Sequence, residues 1–153
     1  MKKKVLVVED ELDMRIFLST LLETNGFGLV SSKNGREGIQ AARTVRPDLI
    51  ILDLMMPDEG GARMYRTLKE DRELCRIPVL LLSAVPESSF RHFLSMLSLR
   101  SDQAVPAPDI YIRKPPDAGD LLSAIRRLLA LSSGAGGDGG EKKGGGHGGR
   151  PQA

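Results

Sequence analysis

Apolar residues along this chain fall into two alternating kinds of pattern. Val5–Val8, Leu49–Leu52 and Val79–Leu82 are short, uninterrupted apolar runs. Strands covered on both faces of a parallel sheet look like this. Phe27–Ser31 and Ile110–Ile112 are weaker strand candidates. Between these runs the apolar positions recur at helical spacing. Met14, Phe17, Leu18, Leu21 and Leu22 follow an i, i+3, i+4, i+7, i+8 stripe, with Asp13 as the expected cap and Asn25-Gly26 as the stop. A second helix is predicted over Arg36–Thr44, stopped by Pro47, and a third over Ala62–Glu70 with Met64, Tyr65 and Leu68 available for burial. Asp117 is placed to cap a last helix carrying Leu121, Leu122, Ile125, Leu128 and Leu129. Within Ala84–Asp109, the residues Phe90, Phe93, Leu94, Met96 and Leu97 fit a helix beginning after Pro86, and Arg100–Pro108 reads as loop.

Five strands alternating with five helices imply right-handed crossovers and a doubly wound parallel sheet. Such sheets bind ligands beyond the carboxyl ends of their strands, where the strand order reverses. After Leu131 the pattern stops. Residues 132–153 hold ten of the seventeen glycines and almost no apolar side chains, so the chain divides into a folded domain, 1–131, and a tail, 132–153, expected to be flexible.

Composition narrows the picture without deciding it. With 153 residues, 41% hydrophobic and 27% charged, the chain suits one soluble domain. No apolar run reaches the roughly 18 residues needed to cross a bilayer, and the run behind the basic start is too short for a secretory signal. A cytoplasmic protein with no membrane contact is expected. The 22 basic and 20 acidic residues leave a net charge of +2, which gives no argument for direct nucleic-acid binding. Cys75 is the single cysteine and cannot form an internal disulfide; an ordinary free thiol is expected. His147 among glycines makes a poor metal site, and Lys142, Lys143 and Arg150 are expected to be solvated.

The candidate chemistry lies at the strand ends. The first strand ends at Glu9-Asp10, the third at Asp53, the fourth at Ser83 and the fifth near Lys114. Carboxylates gathered in one crevice raise each other's pKa unless a cation is present. An oxygen-only donor set suits Mg²⁺. An acceptor carboxylate, a metal, a lysine and a hydroxyl are the parts that phosphoryl transfer to an aspartate requires. A glycine-rich dinucleotide loop is absent, since Val8-Glu9-Asp10-Glu11 stands where it would be needed.

In these residues the sequence resembles the receiver domains of two-component response regulators, the CheY-like family, from about Lys3 to Leu131. Val5-Leu6-Val7-Val8-Glu9-Asp10-Glu11 is similar to that family's first strand and acidic pair. Leu52-Asp53-Leu54-Met55-Met56-Pro57, followed by Gly61, is similar to its phosphoacceptor signature, Leu82-Ser83-Ala84 to its fourth strand, and Tyr111-Ile112-Arg113-Lys114-Pro115 to its fifth. The resemblance implies a five-stranded, flavodoxin-like (βα)5 fold with Asp53 as phosphoacceptor. It implies Glu9, Asp10, Asp53 and the Met55 carbonyl as Mg²⁺ ligands, Ser83 and Lys114 as partners of the phosphate, and Ser83 and Tyr111 as switch residues. A cis Lys114–Pro115 peptide is expected with it. A histidine kinase or phosphotransfer protein would supply the phosphoryl group, and a downstream effector protein would read the surface of the fourth helix, fifth strand and fifth helix. The chain would act as a monomer or a phosphorylation-dependent dimer, and not as an enzyme beyond self-phosphorylation and autodephosphorylation.

The sequence departs from the family in one place. Ser83 and Lys114 are 31 positions apart (114 minus 83), longer than usual, and Val105-Pro106-Ala107-Pro108 replaces the customary small pair before the fifth strand. The alternatives are a degenerate receiver that binds partners without phosphorylation, and an aspartyl-phosphate phosphatase. The phosphatase would want an acid two residues after the nucleophile, where Met55 stands.

Overall fold

The computed structural model describes residues 2–56, 60–99 and 106–136. Strands and helices alternate along the chain: β1 (Lys4–Val8), α1 (Leu12–Thr24), β2 (Gly28–Ser32), α2 (Gly35–Val45), β3 (Leu49–Asp53) and α3 (Gly61–Glu70). A single 3₁₀ turn at Leu74–Arg76 leads into β4 (Val79–Ser83), α4 (Glu87–Leu99), β5 (Ile110–Arg113) and α5 (Ala118–Gly136). The sheet order is β2-β1-β3-β4-β5 and every neighbouring pair is parallel. The order therefore reverses between β1 and β3, which fixes the crevice at their carboxyl ends. Among the described residues no helix is long and apolar enough to cross a membrane.

Why the central runs carry no polar position follows from the two layers they separate. Val5, Val7, Leu49, Ile51, Leu80 and Leu82 pack with Leu18 and Leu22 of α1 and Leu121, Ile125, Leu128 and Leu129 of α5. Their alternates Leu6, Val8, Ile50, Leu52, Val79 and Leu81 pack with Met64, Tyr65 and Leu68 of α3, Ala42 of α2, and Phe90 and Leu94 of α4. Side chains alternate across a strand, so a strand buried on both sides must be apolar at every position.

The ends of the elements show where local chemistry overrides pattern. α1 starts two residues earlier than Asp13 suggests: Glu11 is the N-cap, makes no side-chain cap bond, and Asp13 lies inside the first turn. An acid there still complements the positive end of the helix. Of the α1 stripe, Leu18 and Leu22 are buried while Phe17 is exposed, together with Leu12 and Ile16. Gly26, at φ +84°, takes the left-handed conformation that ends the helix. α2 is capped by Asn34, whose Oδ1 accepts from the Glu37 amide at 2.9 Å, while Glu37 reaches back to the Lys33 amide. Arg46 closes α2 at φ 54° before Pro47.

α4 forms as its spacing predicts, but Met96 faces outward. The last helix continues to Gly136, past the Leu131 limit, and the remainder of the tail lies outside the described residues, as do Pro57 and residues 100–105. Cys75 is a half-buried free thiol.

One contact in the fold positions the site directly. A Cβ on Gly61, the first residue of α3, would lie 2.0 Å from the Asp53 carbonyl oxygen and 2.7 Å from the Leu54 Cα. Only glycine lets α3 begin against the end of β3. A Cβ on the neighbouring Gly60 would meet nothing nearer than 3.8 Å. Gly61→Ala is therefore expected to lower the unfolding free energy by about 1–3 kcal/mol in urea denaturation, and Gly60→Ser to change it by less than about 0.5 kcal/mol.

Candidate functional site

The parity of the strands sorts the predicted residues before any contact is measured. Glu9 continues the Val5, Val7 side of β1, Asp53 the Leu49, Ile51 side of β3, and Lys114 the Ile110, Ile112 side of β5. All three fall on the α1/α5 side of the sheet. Ser83 shares the side of Val79 and Leu81, and Tyr111 packs against that same cluster, on the α3/α4 side.

The first group meets around one ammonium. Lys114 Nζ donates to Glu9 Oε2 at 2.9 Å, stands 3.1 Å from Asp53 Oδ2, and lies 3.8 Å from Glu11 Oε1. Glu9 and Asp53 are each 1% exposed. Apart from this ion pair with Lys114, Asp53 Oδ2 has no hydrogen-bond partner among the described residues. Asp53 Oδ1 accepts from the Met55 amide at 3.1 Å, and Glu9 Oε1 from the Glu11 amide at 3.2 Å. Lys114 is carried there by its own backbone, whose amide donates to the Ser83 carbonyl at 2.9 Å, and by the cis peptide that joins it to Pro115.

Carboxylate oxygens of Glu9, Asp10, Glu11 and Asp53 lie within 4.8 Å of one another. Asp10 Oδ1 is buried and, like Asp53 Oδ2, has no hydrogen-bond partner. Two buried oxygens without donors, within a group made only of carboxylates, fit a hard divalent cation such as Mg²⁺. Glu11 was not among the residues predicted for the site. Its signal was the unbroken acidic triplet Glu9-Asp10-Glu11, but its position at the helix N-cap, where its side chain is free to turn toward Lys114, depends on the loop geometry.

Burial is the largest influence on Glu9 and raises its carboxyl pKa to about 7; the bond from Lys114 pulls it down and the neighbouring Asp53 pushes it back up. For Lys114, burial works against the charge, but the bond to Glu9 and the Asp53 carboxylate outweigh it, and its pKa is raised.

The second group is held by a single residue. The Val85 amide donates to Ser83 Oγ at 3.0 Å, and the Tyr111 hydroxyl donates to the Val85 carbonyl oxygen. Tyr111 is thus half-buried outside the carboxylate cluster, stacked on Phe90 with centroids 5.6 Å apart. Phe90 meets Tyr65 edge-on at 6.0 Å, and the Tyr65 hydroxyl donates to the Pro106 carbonyl oxygen in the α4–β5 connection. Met55 turns its side chain outward, 58% exposed.

Comparison with known proteins agrees with this arrangement. The sequence profile of the response regulator receiver domain matches residues 5–126. The polar-differentiation response regulator DivK of Brucella anthropi is 41% identical over 85 residues, 55% of this chain and 68% of that protein. The KDP operon transcriptional regulatory protein KdpE of Escherichia coli is 37% identical over 129 residues, 84% of this chain and 52% of that protein. A hybrid signal transduction histidine kinase D of Dictyostelium discoideum is 35% identical over 130 residues, but the chain covers only 8% of it. The chain thus spans about half the length of KdpE and a small part of the kinase. Among solved structures, the receiver domain of a signal transduction histidine kinase from Syntrophus aciditrophicus superimposes with a TM-score of 0.71 at 31% identity, covering 92% of this chain and 96% of that one. The receiver domain of a LuxO repressor protein from Vibrio parahaemolyticus gives 0.75 at 20% identity, covering 92% and 100% respectively, a likeness of fold alone. The chain belongs to the response regulator receiver family, in which an aspartate is phosphorylated during two-component signalling.

The raised Glu9 pKa has a consequence for stability. A carboxyl whose folded pKa exceeds its unfolded value stabilises the fold fully below the unfolded pKa, and that contribution is lost as pH rises through the folded one. Metal-free protein is therefore expected to lose urea resistance as pH rises from the ordinary carboxyl value of 4.5 to the Glu9 value of about 7, and to level off above it. Glu9→Gln is expected to flatten that part of the profile.

Proposed function

We propose that Asp53 is the phosphoacceptor of this receiver and that Glu9, Asp10, Asp53 and the Met55 carbonyl hold one Mg²⁺ ion. The observation that carries this reading is the gathering of the Glu9, Asp10, Glu11 and Asp53 carboxylates at the strand-order reversal, with the Lys114 ammonium against Glu9 and Asp53. A carboxylate oxygen of Asp53 attacks the phosphorus of a phosphohistidine, or of a small phosphodonor. The new O–P bond forms as the bond to the leaving group breaks, and the leaving group departs with the electron pair. Mg²⁺, when bound, neutralises charge on the phosphoryl oxygens and on the carboxylates.

Lys114 already sits 3.1 Å from Asp53 Oδ2, so it needs little movement to pair with a phosphoryl oxygen. Glu9 must be deprotonated to bind a cation, and Lys114 favours that form. Ser83 Oγ accepts from the Val85 amide, which leaves its own hydrogen for the phosphate. Drawing Ser83 toward Asp53 pulls on Val85, and Val85 also holds the Tyr111 hydroxyl. The same movement thus loosens Tyr111 on the α4–β5–α5 face. Shifting a two-state equilibrium from mostly off to mostly on takes about 5.5 kcal/mol of differential interaction. A covalent dianion gaining Lys114 and Ser83 as partners is of the right kind to supply it.

On this reading the donor is a histidine kinase or phosphotransfer protein, and the reader is a downstream effector protein on the α4–β5–α5 face. The chain works in the cytoplasm, as a monomer or phosphorylation-dependent dimer, and its chemistry is limited to its own phosphorylation and dephosphorylation. The names of its relatives, which include kinases and transcriptional regulators, fit such a role. The unphosphorylated binding module is disfavoured by the two donorless buried oxygens, which a purely structural site would not leave.

Incubation with Mg²⁺ and acetyl phosphate, followed by intact-mass measurement, tests the assignment. One phosphate adduct on the native chain, labile to base and missing from Asp53→Ala, is the expected result. An adduct that persists in Asp53→Ala, or none in either protein with any donor, contradicts it.

A further inference from the structure

Away from the acid pocket, a groove of about 450 Å³ runs between α2 and α3. One glycine sets how closely its two helices approach. A Cβ on Gly38 would lie 2.8 Å from Met64 Sδ and 2.9 Å from Val8 Cγ2, so the two helices close on each other at that point. Ile39 and Met64 form an apolar floor above the contact, and Arg36, Arg43 and Arg63 stand along the walls.

These arginines are poorly compensated. Arg43 reaches Asp71 at 3.6 Å with 60% of its side chain exposed. Among the described residues no acidic side chain lines the groove or pairs with Arg36 or Arg63. Among the described residues, nearby acids are engaged elsewhere: Glu37 accepts from the Lys33 amide, Glu70 from Arg66 and Glu73 from Arg46. Arg36 and Arg63 also occupy the first turns of their helices, where the dipole disfavours a cation. That placement is unfavourable for the free domain and favourable for a domain that receives an anion there.

The shape of the charge limits what the anion is. Arg36 and Arg43 are two turns apart, roughly 10 Å along α2, with Arg63 across the groove. The three arginines thus belong to two helices, and the two on α2 are spaced two turns apart along the groove. We propose that this groove docks an acidic segment of a partner protein, with Asp or Glu side chains on the arginines and an apolar side chain on Ile39 and Met64. The groove ends at Gly60, beside the Gly61 contact with Asp53, so a docked partner lies next to the acid pocket without using any residue of it.

The test is an NMR titration of the full chain, at low salt, with a short synthetic peptide rich in glutamate around a central leucine. The expected shifts cluster on Gly35, Arg36, Gly60 and Arg63. Arg36→Gln/Arg63→Gln is expected to weaken binding about tenfold or more, with Arg63→Gln alone intermediate. Arg126→Gln/Arg127→Gln on α5 removes the same charge and is expected to change affinity by less than about twofold. Equal losses in the two double variants, or shifts centred on another surface, overturn the proposal. Inorganic pyrophosphate binding the groove as tightly as the peptide overturns it in favour of a small phosphate ligand.

Discussion

Glu9 and Asp53 are two carboxylates withdrawn from water at the end of a fully apolar sheet, and Lys114 is the cation that touches both. Like charges this close are tolerated in a buried site only with a counter-charge, and one ammonium cannot satisfy every oxygen. Asp10 Oδ1 is buried with no hydrogen-bond partner among the described residues, and Asp53 Oδ2 has only the Lys114 ion pair. The strand order that places β1 beside β3, the Gly61 start of α3 and the backbone bond from Lys114 to Ser83 all serve to hold this arrangement. It carries more carboxylates than its one ammonium offsets, so a divalent cation or a phosphoryl group changes its balance directly.

The two sides of the sheet divide the work. Charge gathers on the α1/α5 side, whereas Ser83, Val85, Tyr111 and Phe90 form a connected path on the other. Along that path the contacts are specific: a hydroxyl on an amide, a phenol on a carbonyl, two ring contacts, then the bond from Tyr65 to Pro106. The buried Tyr65 hydroxyl has its pKa raised by burial first and by Asp109 second, so it stays a donor. The connection before β5 is therefore tied to the same aromatic group as Tyr111.

Much of this was legible in the sequence because the physics was local. A strand covered on both sides can contain only apolar residues, so β1, β3 and β4 announced themselves, and the polar residue ending each one was visible by contrast. Glu9, Asp53 and Ser83 stood out in that way, whereas Lys114 follows the weaker pattern of β5. What failed to show depended on packing between distant segments. Glu11 joins the cluster only through the loop into α1. Met96 fits the helical stripe of α4 yet faces solvent, because Phe90 and Leu94 already fill the contact with the sheet. The arginine-lined groove takes its residues from both α2 and α3, and neither helix by itself reveals it.

The account stands on the claim that the acid pocket is held against its own charge. Thermal unfolding of the native protein and of Asp53→Asn, each in EDTA and in millimolar Mg²⁺, addresses that claim most directly. Relief of repulsion predicts that Asp53→Asn is the more stable of the two in EDTA, and that Mg²⁺ stabilises the native protein much more than the variant. An Asp53→Asn variant that is less stable in EDTA, with Mg²⁺ affecting both proteins equally, would contradict it.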